Sequence, residues 1–291
     1  EVSDTVVKRR LRNDLSDIFS DKAHDVDLSF FRTLDGERSY HRHEIINDNR
    51  SSFTFYLPKE SYRHLAIANI DSALTVYQTD TLSREYLSLR NIAGDTLQSQ
   101  TTGLFSARLD MEVQDSVDQE FHVHLYMLNS AVALVIDTTD CTLNDINVFT
   151  TGTGCGFNLN DSVFDFSRKP VIRARKVKDS DKPSQLPASD LAAKQTNDSK
   201  DNNLAFVSIN FPSEGQMTAD GYWQMYVYAT MPDGKITQTK LTVSNPLRAG
   251  ELKVLKTKMN NDGSVTPVSA PGVGASVTLD WKSAGEHNVE F

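Results

Sequence analysis

Hydrophobic and polar positions alternate with period two through much of this chain. In Asp25-Val26-Asp27-Leu28-Ser29-Phe30, the residues Val26, Leu28 and Phe30 share one face and the polar residues the other. The same alternation runs through Phe121-His122-Val123-His124-Leu125, and through Trp223 to Tyr228, where aromatic side chains fall on both faces. Leu252, Val254 with Leu255, and then Val277, Leu279 and Trp281 continue it. Successive side chains of a strand point to opposite sides of a sheet, so each run reads as a strand. Asp-Gly steps at Asp35-Gly36, Asp233-Gly234 and Asp262-Gly263 punctuate the runs. Asp-Gly between alternating segments is a strong hairpin signal, because glycine takes the positive φ of a tight turn. The steps predict hairpins pairing Val26–Thr33 with Ser39–Ile46, Gln224–Met231 with Lys235–Val243, and Leu252–Asn260 with Ser264–Val268. Helical spacing is confined to Asp14–Phe19 and Ser83–Ile92, each enough for one or two turns. The expected fold class is all-β: two tandem β-sandwich domains with one or two short helices.

Asp137-Thr138-Thr139-Asp140 closes the apolar run Ala131–Ile136 and precedes a glycine-rich stretch, Thr151-Gly152-Thr153-Gly154-Cys155-Gly156. The expected domains are therefore 1–139 and 140–291. Residues 179–203 are rich in charge and hold no aromatic side chain, so they cannot bury a core and read as a long polar loop of the second domain.

Charge narrows the range of partners. The chain of 291 residues carries a formal net charge of -9 and a sequence pI near 5.3. A general nucleic-acid or anionic-membrane binder needs a basic footprint instead. The basic runs Lys8–Arg12 and Arg168–Lys178 read as solvated faces. No apolar run approaches the length of a membrane-spanning helix. The chain begins at Glu1, which suggests a processed N-terminus. Cys141 and Cys155 are too few for a disulfide scaffold or a structural zinc site, but can bridge each other in an oxidising compartment.

Particular motifs carry a resemblance. The tail runs Pro246-Leu247-Arg248-Ala249-Gly250-Glu251-Leu252-Lys253-Val254-Leu255, passes the Asp262-Gly263 turn, and continues through Val273–Lys282 to Gly285–Phe291. Near the start, Val26–Phe31 leads into Asp35-Gly36, and Phe53–Pro58 is followed by Tyr62–Asn69. These strand and turn patterns resemble the Bacteroidetes fimbrillin-associated anchor and minor-fimbrium accessory subunits, over most of the chain outside the polar loop. The resemblance implies transthyretin-like sandwiches, export as a lipoprotein to the outer membrane or fimbrium, and other fimbrial subunits (fimbrillins) as partners. It also implies an outer-membrane lipid attached to an N-terminal cysteine, which is absent from Glu1 onward and is expected to have been lost. Five Asp-Ser/Thr-aliphatic steps, beginning with Asp71-Ser72-Ala73, resemble the O-glycosylation acceptors of exported relatives.

Catalytic chemistry finds no foothold in the motifs. There is no G-x-S-x-G elbow, and Gly152–Gly156 lacks the Lys-Ser/Thr of a phosphate loop. His41 with His43, and His122 with His124, share strand faces and would make a zinc site only if their strands were neighbours; neither spacing is diagnostic, and no metal or other cofactor is assigned. Tyr222 and Trp223 are candidates for stacking a sugar, against the alternative of core packing. The docking candidates are the two chain ends, both readable as edge strands: Val6, Val7 and Leu11 in the first, Val289 and Phe291 in the second. The expectation is a non-enzymatic fimbrial anchor or accessory subunit that docks by strand exchange or augmentation. The alternative is a surface lipoprotein binding carbohydrate or a host ligand.

Overall fold

The computed structural model describes residues 24–46, 52–70, 74–77, 88–91, 96–177, 203–268 and 273–279. Among them every regular element is a strand. The chain forms β1 (Asp25–Arg32), β2 (Arg38–Ile45), β3 (Ser61–Ala68), β4 (Leu74–Tyr77), β5 (Ser88–Asn91), β6 (Thr96–Gln98), β7 (Phe105–Glu112), β8 (Tyr126–Met127), β9 (Ser130–Asp137) and β10 (Asp145–Thr151). It continues as β11 (Gly156–Asn158), β12 (Val163–Asp165), β13 (Val171–Arg173), β14 (Arg175–Lys176), β15 (Asn203–Asn210), β16 (Trp223–Thr230), β17 (Ile236–Val243), β18 (Leu252–Met259), β19 (Val265–Pro267) and β20 (Val273–Leu279).

These strands make four sheets, ordered β2-β1-β3-β7-β8, β12-β11-β5-β4, β20-β17-β16-β10-β13-β6 and β14-β15-β9-β18-β19. The first two pack around Phe31, Leu65, Ile67, Leu104, Phe157 and Phe211. The last two enclose Val132, Leu134, Val148, Trp223, Val227 and Leu241. Burial follows the alternation: on β16 Trp223, Met225, Val227 and Ala229 are buried while Gln224, Tyr226, Tyr228 and Thr230 are half-exposed. Each large apolar side chain taken out of water contributes roughly 1.5–3 kcal/mol.

All three Asp-Gly hairpins form, as β1–β2, β16–β17 and β18–β19. They share one device. The Asp carboxylate accepts from the backbone N–H two residues on: Glu37 to Asp35 at 3.0 Å, Lys235 to Asp233 at 3.1 Å and Ser264 to Asp262 at 2.9 Å. Gly263, at φ 82°, also lies where a Cβ would meet the Met231 sulfur at 2.6 Å, so both the turn and the packing require glycine.

Three expectations change, and others fall outside the described residues. No helix occurs among the described residues: Asp14–Phe19 lies outside them, and of Ser83–Ile92 the part described, Ser88–Asn91, is β5, bonded between β4 and β11. Phe121–Leu125 is exposed and in no ladder. The polar loop 179–203 lies outside the described residues except for Asn203, which opens β15.

Last, strand pairing does not divide at Thr139. β9, from before it, sits between β15 and β18 in the second sandwich, while β11 and β12, from after it, pair alongside β5 in the first. The short β6 lies parallel to β13. The reason lies in β9, whose residues are buried on both faces: Val132, Leu134 and Ile136 on one, Ala131, Ala133 and Val135 on the other. Such a strand belongs in the middle of a sheet, with partners on both edges. Asp137–Asp140 is then a turn inside the second sandwich.

Candidate subunit-docking edge

Docking by strand addition needs a sheet edge with unpaired backbone N–H and C=O groups. Val6, Val7, Leu11, Val289 and Phe291, the expected docking residues, lie outside the described residues. Other edges are visible. β2 borders the first sheet with the sequence Arg-Ser-Tyr-His-Arg-His-Glu-Ile. Its charged side chains guard it: His41 and His43 flank Asp27 of β1 at 2.8 and 3.2 Å, and Arg42 pairs with Glu44. Charge on an edge discourages a foreign strand.

The opposite border differs. β7 pairs with β3 along its whole length, Phe105 to Glu112. On its other side it pairs with β8 at two positions, Phe105 to Met127 and Ser106 to Tyr126. From Ala107 to Glu112 no described strand pairs on that side, and only at its end does a side chain reach the backbone, where Gln119 donates to the Glu112 carbonyl. β7 points Phe105, Ala107 and Met111 into the apolar cluster over the first sheet's outer face, with Phe53, Phe55 and Leu57. On the other face, Asp110 accepts two bonds from Arg63, at 2.7 and 3.1 Å, and a third Arg63 nitrogen donates to Asn160 at 2.8 Å. These bonds from Arg63 hold the Asp110 carboxyl below the usual range. Arg108 donates to the Asn160 carbonyl. β7 is therefore held firmly from β3 and from below, while among the described residues no strand pairs with its outer edge beyond Ser106.

The remaining candidates resolve differently. Trp223 is fully buried and donates its indole N–H to the Asn245 carbonyl at 2.9 Å, so it cannot stack a ligand. Tyr222 is partly buried against the same core. Cys141 and Cys155 are free thiols, and the expected bridge is not formed: Cys141 packs beside the second core, while Cys155 is buried with its sulfur at 3.3 Å from the Asp165 carbonyl. Among the described residues no group of three or more His, Cys, Asp or Glu is placed to hold a metal. His122 and His124 belong to the exposed segment before β8, at the opposite border of the first sheet from the His41–Asp27–His43 cluster on β2 and β1.

Residues 5–158, just over half of the 291, match the family of fimbrillin-A-associated anchor proteins Mfa1 and Mfa2. The chain belongs to this family. Membership in the fimbrillin-A-associated anchor family makes it a fimbrial accessory protein of the cell surface, in a class of structural and adhesive proteins that associate with other fimbrial subunits. No curated protein matches the sequence. Solved structures share the fold. A candidate adhesin of Bacteroides thetaiotaomicron superposes with TM-score 0.55 at 10% identity, over 90% of each chain. The fimbrial anchor protein Mfa2 of Porphyromonas gingivalis superposes at 0.52 and 11% identity, over 89% of each. A candidate polysaccharide-binding protein of B. thetaiotaomicron does so at 0.52 and 11%, over 94% of this chain and 92% of its own. Sequence reasoning missed β7. The signal was present as two alternating runs, Phe105-Ala107-Leu109-Met111 and Phe121-Val123-Leu125, joined by a polar loop.

Proposed function

We propose that this anchor-family chain is a non-catalytic fimbrial anchor or accessory subunit that docks to a fimbrillin by β-strand addition, held at the outer membrane through a lipid-bearing cysteine ahead of Glu1. The observation that carries the docking is the open edge of β7 from Ala107 to Glu112. Backbone bonds along it supply affinity, and side chains packing over Ala107, Leu109 and Met111 supply specificity. The chain ends, with Val6, Val7 and Leu11 or Val289 and Phe291, are the segments offered in return to a neighbouring subunit. The test is co-purification with the cognate fimbrillin of the full chain and three variants: L109K/M111K, a deletion of Glu1–Leu11, and a deletion of Val289–Phe291. The first is expected to lose co-assembly while remaining folded, and at least one deletion to weaken it. Wild-type assembly by all three folded variants sinks docking by strand addition.

A second reading, carbohydrate binding, rests on the solvent face of the third sheet. Phe149, Tyr226 and Tyr228 lie there, opposite the core positions Val148 and Val227, with Phe149 edge-on to Tyr228 at 5.7 Å. Lys240 pairs with Tyr226 across the strands, and Arg173 with Phe149. Aromatic faces beside polar groups suit a sugar ring. Titration of Tyr226→Ala with polysaccharides tests this face separately from fimbrillin assembly.

A further inference from the structure

The segment that follows β7 is matched to β7's open edge and does not pair with it. β7 ends at Glu112, the chain turns at Asp115-Ser116, and it returns without regular structure to β8. Both ends of the return are tied down. At the tip, the Gln119 side chain donates to the Glu112 carbonyl at 3.1 Å and accepts from the Gln114 N–H at 2.7 Å. At the base, Ser106 pairs with Tyr126 and Phe105 with Met127. Between these ties, six residues of β7, Ala107 to Glu112, are matched in number by six of the return, Glu120 to Leu125. Carrying the β8 register forward places Leu125 opposite Ala107, Val123 opposite Leu109 and Phe121 opposite Met111. All three then join the face where Met127, Met111 and Phe55 already pack. In the structure they form no ladder, and Phe121, Val123 and Leu125 remain 36%, 37% and 38% exposed. An alternating apolar segment left beside an unpaired edge is normally avoided, because it invites a foreign strand.

We propose that Phe121–Leu125 is a displaceable guard of the β7 edge, and that the edge's partner is a strand of another subunit, antiparallel to β7, with three alternating apolar residues that replace Phe121, Val123 and Leu125. The proposal rests on the docking reading above and adds to it the partner's pattern, its direction and the competition that regulates access. The guard is a copy of what the partner must present. In register, it closes the edge against promiscuous pairing; displaced, it leaves the same three positions over Ala107, Leu109 and Met111 to be filled by the incoming side chains.

The test uses the full chain and a synthetic peptide of residues 117–127. In a Cys141→Ser, Cys155→Ala background, L109C/V123C places two thiols directly opposite in the proposed register. Oxidation is expected to form that bridge and to weaken peptide binding at least tenfold, with reduction restoring it. A second variant, F121S/L125S, changes exposed side chains and is expected to bind the peptide at least tenfold more tightly than the unmodified chain. A peptide of the same composition with its apolar residues adjacent should bind neither. Equal binding by the oxidised and reduced forms, no binding by F121S/L125S, or a dimer of that variant in place of peptide binding would each overturn the proposal. Intact peptide binding together with failed fimbrillin co-assembly would remove the fimbrial reading and leave the guarded edge standing.

Discussion

Replacing Asn129 with alanine should destabilise the protein by about 3–5 kcal/mol. Asn129 is 1% exposed and lies between β8 and β9, where the chain leaves the first sandwich for the second. Its side chain makes three bonds. The amide nitrogen donates to the Gln100 side-chain oxygen at 2.9 Å and to the Thr102 carbonyl at 2.7 Å. The amide oxygen accepts from the Leu104 N–H at 3.1 Å. Its own backbone carbonyl accepts from Gly250 at 2.8 Å, so one residue ties the entry to β7, the exit to β9 and the turn before β18. A hydrogen bond contributes about 1 kcal/mol net, and a buried group stripped of its partner costs about 1–3 kcal/mol. Three bonds lost together, with Leu104 fully buried and Gln100 nearly so, give the stated range. Asn129→Asp should be worse than alanine at pH 7, because it sets a carboxylate against the two oxygens that Asn129 now serves, and the gap should narrow at acidic pH as the carboxyl gains a proton. Urea unfolding of the wild type and both variants, at pH 7 and pH 4.5, measures this. An Asn129→Ala cost under about 1 kcal/mol, or an Asp variant equal to alanine at both pH values, would refute the reasoning.

Three further outcomes are expected. Gly263→Ala should cost more than Gly234→Ala in chemical denaturation: both have φ 82°, but a Cβ at Gly263 meets the Met231 sulfur at 2.6 Å while Gly234 has open space around it. Burial holds the His64 imidazole below its ordinary range, so below about pH 6.5 the unfolded chain binds the extra proton and stability falls as pH drops from there toward the folded value. His64→Phe, which keeps the ring stacked on Phe30, should flatten the fall in urea midpoint between pH 7 and pH 5; an unchanged slope counts against it. Burial, with Asp262 nearby, pushes the Cys141 thiol up, and Cys155 is 2% exposed. Ellman's reagent should therefore label Cys141 slowly and Cys155 only after unfolding, and fast labelling of both would contradict the packing.

Local signals were legible and non-local ones were not. Each Asp-Gly step specified its hairpin, because turn chemistry and flanking alternation lie within twenty residues of each other. The run Ala131–Ile136 was legible as a strand, but its seat between β15 and β18 depends on residues 68 to 78 and 121 positions downstream. Phe121–Leu125 carries the pattern of a half-buried strand, yet pattern states what a segment can pair with and not whether the pairing is made. Trp223 shows the same boundary in the candidate site. Alternation puts it on one face of β16 and Tyr226 on the other, and nothing within that strand says which face meets the second sheet.

The path of the backbone between the sandwiches bears on mechanical load. The chain crosses from one to the other between β5 and β6, β6 and β7, β8 and β9, β10 and β11, and β12 and β13. A pair of beads on one linker swivels and transmits tension through a single strand of chain. Here a pull applied to either sandwich is shared among several backbone spans, and β9 can leave only by shearing its ladders to both β15 and β18. Under traction the two sandwiches should yield together, as one stiff coupling of the kind needed where a filament meets the surface that holds it.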